Sequence, residues 1–104
     1  MIIVEGFVQL APGELDRLRP VAVEMLRETR KEVGCLDYAF AEDLADPNTT
    51  RIIERWESEE ALTRHFATPH MAKFNAALTK ANLPIFMSSL LRDNSRSASP
   101  VGAR

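Results

Sequence analysis

The first strand of this chain is apolar on both faces, which restricts the folds open to it. From Ile2 to Leu10 the residues alternate, with Ile2, Val4, Val8 and Leu10 beside Gly6 on one side and Ile3, Glu5, Phe7 and Gln9 on the other. A sheet with large side chains on both sides is unlike the usual antiparallel sheet that leaves one face wet, so each face needs a cover. The chain has 104 residues, enough for one domain that buries roughly 60–70% of the surface its unfolded form exposes.

The pattern then changes period. Ala11-Pro12-Gly13 breaks the strand, and Leu15, Leu18, Ala22, Met25, Thr29 and Val33 recur at helical spacing up to Gly34, which predicts helix one over residues 14–33. Pro20 lacks an N–H and crowds the carbonyl four residues back, so a kink is expected there, or a helix whose regular part begins near it. Leu36, Tyr38 and Phe40 alternate with Asp37, Ala39 and Ala41. Asp46-Pro47-Asn48 supplies a turn, and residues 51–57 alternate again, giving a hairpin of strands two and three. Ser58 followed by Glu59 and Glu60 caps a second helix that runs to about Phe66. Thr68-Pro69 starts a third, ending near Ala81, with Met71, Phe74 and Leu78 on one face. Residues 83–92 are apolar and read as strand four, whereas residues 93–104 are small, polar and aperiodic and read as a disordered tail.

This β-α-β-β-α-β order, with its second helix broken in two, is that of an α+β, ferredoxin-like four-stranded antiparallel sheet with helices on one face. The economical cover for the other face is a second copy packed sheet to sheet, a homodimer. Composition excludes other classes. Net charge is −2 and basic residues are interleaved with acidic ones, as in residues 14–19 and 27–32, so these runs read as solvated helix faces and no nucleic-acid footprint is expected. No apolar run is long enough to span a membrane and no leader precedes the first strand, so the expected location is cytoplasmic. Cys35, the single cysteine, has no partner for a disulfide or a structural zinc site and is expected to be a buried, inert thiol.

Residues that carry chemistry concentrate between Glu54 and His70, which hold the one Trp and both His. Trp56 shares a strand face with Ile52 and Glu54, where an indole serves as core or as a pocket wall. His65 near the end of helix two is either a structural residue or a base, since an imidazole titrates near neutral pH and can take a phenolic proton. His70 just inside helix three packs locally or lines the same site. Tyr38 either packs or bonds a quinone oxygen. Two His and Glu54 satisfy a metal on paper, but their spacing is no zinc or non-haem iron pattern and Glu54 is as well suited to pairing with an Arg across the sheet, so no metal is expected. Met25, Met71 and Met87 read as core filler.

Gly34-Cys35-Leu36-Asp37-Tyr38, the Glu54-x-Trp56 strand end and the segment from His65 to His70 with Phe74 after it resemble the antibiotic biosynthesis monooxygenase (ABM) domains of the dimeric α+β barrel superfamily. The resemblance covers residues 1–92. It implies a dimeric barrel and an activity among quinol or anthrone monooxygenases that need neither metal nor flavin, haem-degrading enzymes, and enzymes acting on signalling molecules. In anthrone monooxygenases of the family the residue matching Trp56 lines the substrate cavity. Three polar residues credited there with binding or proton transfer are replaced here by Ile52, Leu62 and Asn75, so that chemistry does not carry over whole. Haem degradation fits poorly, because Gly6 stands where those enzymes have an Asn and Asn75 or Phe74 where they have the haem-ligating His. With no Gly-rich dinucleotide fingerprint and no recognisable metal set, a cofactor is not expected and the substrate must carry the electrons. The expected function is cofactor-independent oxygenation of a small hydroquinone or anthrone with O2. In it His65 is the base, Trp56, Phe74 and Phe86 hold the ring, and Tyr38, Glu54 and His70 complete the site. The alternative is a non-catalytic or stress-associated barrel that sequesters an aromatic metabolite.

Overall fold

The computed structural model describes the backbone of residues 1–80 and 85–92 and the side chains of residues 1–78. The elements are β1 (Ile2–Gln9), α1 (Glu14–Thr29), β2 (Cys35–Glu42), β3 (Thr49–Trp56), α2 (Glu59–Phe66), α3 (Pro69–Lys80) and β4 (Ile85–Arg92). The strands form one antiparallel sheet in the order β2-β3-β1-β4. The hydrophobic strand, β1, is thus internal, where both of its edges are hydrogen-bonded. Its register sets Ile2 opposite Trp56 and Val4 opposite Glu54, so the start of β1 lies alongside the end of β3 where the site residues cluster.

Period-two alternation sorts the sheet into two faces. Ile2, Val4, Val8, Tyr38, Ile52 and Trp56 face the helices and join Leu18, Ala22, Met25, Leu62, Phe74 and Leu78 in one core. On the opposite face Ile3 and Phe7 are half-buried and Ile53 is exposed. Asp37 and Arg55 pair across that face, as do Asp43 and Arg51, and Arg51 also lies 5.6 Å from the centroid of the Phe7 ring. The α+β class and an antiparallel sheet layered with helices agree with the sequence pattern. Strand four and the tail from residue 93 stand differently: the side chain of Phe86 and the expected disorder of the tail lie outside the described residues.

Several boundaries depart from the periodicity. The predicted helix over 14–33 stops at Thr29, and residues 30–34 turn tightly through Lys31 N–H to Glu28 O and Glu32 N–H to Thr29 O bonds. Val33, predicted on the core face, is 81% exposed as a result. Pro20 does not delay the helix, which begins at Glu14. Pro20 and Asp16 are both exposed, so the N–H that Pro20 lacks is missing on the solvent side of the helix, where water can serve the Asp16 carbonyl. In β2 the register shifts between Cys35 and Asp37, and Leu36 bulges out to 55% exposure and does not share the core face with Tyr38 and Phe40.

Gly34 ties this turn to the helix that carries His65. Its φ is +91°, a left-handed value, and a Cβ at this position would lie 2.5 Å from the Ala61 Cβ of α2. Its carbonyl also accepts the Glu57 N–H at 2.8 Å. Gly34→Ala combines backbone strain with a clash against a helix that cannot yield cheaply, and is expected to lower stability by about 3 kcal/mol. Urea unfolding checks this; a loss below about 1 kcal/mol would mean that α2 slides freely over the turn.

Candidate functional site

Three segments distant in sequence meet at the end of the sheet. The turn after α1 contributes Glu32, the end of β3 contributes Glu54 and Trp56, and α2 and α3 contribute His65 and His70. Ser58 caps α2 by accepting the Ala61 N–H at 3.2 Å, and Thr68 precedes Pro69, the first residue of α3. The break between the two helices sets His65 and His70 on facing sides of one carboxylate. Glu32 Oε2 lies 2.8 Å from His65 Nδ1 and 2.6 Å from His70 Nε2.

A carboxylate oxygen only accepts, so each imidazole donates from the nitrogen that faces it. The His65 ring proton therefore sits on Nδ1, which leaves Nε2 with a bare lone pair. That nitrogen is buried and has no hydrogen-bond partner among the described residues. His65 itself is fully buried, with its ring centroid 4.8 Å from Trp56 and 5.2 Å from Tyr38. Burial pushes its pKa below the ordinary value and outweighs the neighbouring Glu32, which acts in the opposite sense. The result is a neutral imidazole, fixed in one tautomer, facing aromatic rings.

Trp56 is also fully buried, and its indole N–H donates to Glu54 Oε1 at 2.9 Å. Glu54 thus has a partner within the site, and of its two readings, site residue or partner of an Arg across the sheet, the hydrogen bond favours the first. Burial holds the Glu54 carboxyl above its ordinary value; the indole bond opposes the shift and the charge on Glu32 adds to it. Tyr38 is kept firmly protonated, mainly by burial, and its hydroxyl lies 4.0 Å from the Met71 sulfur. Phe74 is buried with its ring 5.7 Å from Phe40, which is itself 5.7 Å from Tyr38. An aromatic row therefore runs from His65 through Tyr38 and Phe40 to Phe74. Beside its far end lies a cavity of about 30 Å³ lined by Val8, Leu18, Phe40, Thr50, Ile52 and Phe74, water-sized and too small for a ring unless side chains move. Burial also raises the Cys35 pKa, so it remains a thiol.

The site gathers Tyr38, Trp56, His65 and His70, with Glu54 held to Trp56 and Phe74 two rings further on. It adds Glu32, which charge patterning hid: residues 27–32 read as a solvated helix face, but α1 ends before Glu32 and the turn swings it inward. The two His thus meet Glu32, whereas on paper the third donor was Glu54.

Glu54 gives this site a pH dependence of definite sign. The folded chain keeps the Glu54 proton at pH values where the unfolded chain, with a carboxyl near 4.5, has lost it, so its contribution to stability declines as pH rises through the folded pKa. Glu54→Gln retains an oxygen for the indole N–H and never ionises. It is expected to be more stable than the parent at pH 8, with the gap closing as pH falls toward 4.5. Urea midpoints at both ends of that range test the sign, and a gap that widens on acidification would reverse it.

Comparison with known proteins gives a consistent result. The family model described as antibiotic biosynthesis monooxygenase matches residues 1–77. An uncharacterised protein of Synechocystis, sll1783, is 30% identical over 73 residues, 70% of this chain and 50% of its own length, so the chain spans about half of that relative. YcnE of Bacillus subtilis, named as a candidate monooxygenase, is 26% identical over 76 residues, 73% of this chain and 80% of its own length. A Deinococcus radiodurans crystal structure, described as a candidate antibiotic biosynthesis monooxygenase, superposes with a TM-score of 0.83 at 27% identity, covering 95% of this chain and 98% of that one.

Proposed function

Because the chain belongs to the antibiotic biosynthesis monooxygenase family, we propose that it oxygenates a small electron-rich aromatic, a hydroquinone or anthrone, with O2 and without a redox cofactor. The observation that carries this reading is the bare, buried Nε2 of His65, held in place by the Glu32 contact at Nδ1. A monooxygenase of this kind needs a base that is neutral at working pH and lies in a dry site next to an aromatic surface, and His65 meets both requirements.

In the proposed reaction Nε2 takes the proton of a substrate hydroxyl. The resulting phenolate or enolate reduces O2 directly; one oxygen atom is incorporated into the ring and the other leaves as water, so hydroquinone plus O2 yields hydroxyquinone plus water. All electrons come from the substrate. Glu32 orients the imidazole and stabilises the imidazolium that forms, as the acidic member of a hydrolase triad does. Trp56, Tyr38 and Phe74 form the aromatic wall, and because Phe40 and Tyr38 stand between the small cavity and His65, ring entry requires Tyr38, Phe40 and Phe74 to give way.

O2 consumption by metal-free protein across hydroquinones, anthrones and flavonols tests this function. Turnover above the buffer rate supports it. No enhancement with any substrate overturns it and leaves the alternative of a barrel that only binds aromatic metabolites.

The partner proposed for the open sheet face is a second copy of this chain. Ile3, Phe7 and Ile53 form an apolar strip there, bordered by the Arg51 and Arg55 ion pairs. Surface pairs of this kind contribute about 0–1 kcal/mol each, so the strip would supply most of the association energy. Sedimentation at micromolar concentration is expected to show a dimer, and a stable folded monomer would refute the pairing. No helix among the described residues is long and apolar enough to cross a membrane, and we propose action in the cytoplasm.

A further inference from the structure

The geometry points to a divalent transition-metal site, of a kind suited to Zn²⁺, formed by His65 Nδ1, His70 Nε2 and the Glu32 carboxylate. Spacing along the chain argues against a metal only when Glu54 is taken as the third donor. The fold replaces it with Glu32, and the three ligand atoms then lie within 4.8 Å of one another.

The two ring nitrogens approach one carboxylate oxygen at 2.8 and 2.6 Å, so both rings already aim a nitrogen at a single point, and a shift of each ring proton to its other nitrogen turns these N–H groups into lone pairs. A tetrahedral zinc with bonds of about 2.0–2.1 Å separates its ligand atoms by roughly 3.3 Å, so each nitrogen–oxygen distance must lengthen by about 0.5–0.7 Å while the two nitrogens, within 4.8 Å of one another, draw together. Glu32, in a five-residue turn, and His70, partly exposed near the start of α3, are the groups able to move. His65 is not one of them: Trp56 and Tyr38 pack against it, which pre-orients the least mobile ligand. The Glu32 and His70 side chains are 14% and 16% exposed, giving an ion a route from solvent. Two nitrogens and one carboxylate favour zinc or a similar ion over magnesium or calcium, which prefer all-oxygen shells. Three protein ligands leave a fourth position for water.

Binding moves protons and transfers no electrons. The His65 ring proton shifts from Nδ1 to Nε2, and that of His70 from Nε2 to Nδ1. Zinc-loaded His65 therefore cannot act as a base, so the metal-bound and base-competent forms are alternative states of one site. Zinc affinity is read without any substrate, so its outcome is independent of the oxygenase proposal.

The test is calorimetric titration of metal-free protein with zinc chloride at pH 7.5, together with Co²⁺ absorption as a reporter of coordination geometry. One ion per chain and tetrahedral Co²⁺ bands are expected. His70→Gln and Glu32→Gln, both at partly exposed positions outside the fully buried core, should each weaken zinc by more than about 100-fold, beyond the range for loss of an outer-shell partner. Circular dichroism establishes that each variant is folded. No zinc heat above dilution, or equal affinity in the parent and both folded variants, overturns the site.

Discussion

Replacing His65 with glutamine is expected to reduce O2-dependent oxidation of a hydroquinone by roughly 10²–10⁴-fold, the usual contribution of a general base. Glutamine nearly fills the imidazole volume, and its amide N–H can still donate to Glu32, so the pocket keeps its shape while losing the lone pair at Nε2. Alanine would remove the base too, but it would also leave a hole beside Trp56 and Tyr38, where His65 is fully buried. The defect should lie in kcat more than in KM, because the proton is taken in the transition state and the ring is held by other groups. Steady-state O2 uptake at saturating substrate reads it. Unchanged kcat in a folded His65→Gln protein would remove His65 from the chemistry.

Trp56→Ala is expected to cost about 3–5 kcal/mol of stability, the range for emptying a buried large aromatic site. Three losses combine. The indole is fully buried among core side chains, its N–H is the hydrogen-bond donor to Glu54, and its ring packs on His65 at 4.8 Å. Removing it leaves a desolvated carboxyl without that partner, which adds to the cavity term. For a domain with a stability of about 5–15 kcal/mol this is a large fraction, and a substantial fall in the urea midpoint follows. A shift worth less than about 1 kcal/mol would show that neighbouring side chains refill the space. Substrate KM should also rise if the indole is a wall as well as core.

Much of this architecture was legible in the chain because it depends on local period and local chemistry. Alternation in residues 2–10 and 51–57 marked two strands. Ser58 and Thr68-Pro69 marked the starts of α2 and α3, since a capping hydroxyl and a proline at the first helical position act on backbone groups within a turn. Local rules failed where another element decided the outcome. Apolar periodicity carried helix one to Val33, but the chain must turn after Thr29 so that Gly34 can lie against Ala61, and that contact belongs to α2. Leu36 kept the alternation of its strand on paper, yet the bulge opposite Trp56 turned it outward.

The sequence by itself determined the class of the fold, the family to which the chain belongs, and the cluster of Trp56, His65 and His70 in which chemistry was to be sought. Those follow from hydrophobic period, cap residues and short motifs, all readable within about twenty positions. Tertiary structure alone decided that Glu32, 33 residues before His65 and 38 before His70, is the carboxylate that both rings address. It also decided that Glu54 faces the Trp56 indole, and that Nε2 of His65 is the nitrogen left bare. The reason is physical: a hydrogen bond fixes a tautomer only through a partner a few ångströms away, and packing, not sequence spacing, brings that partner near.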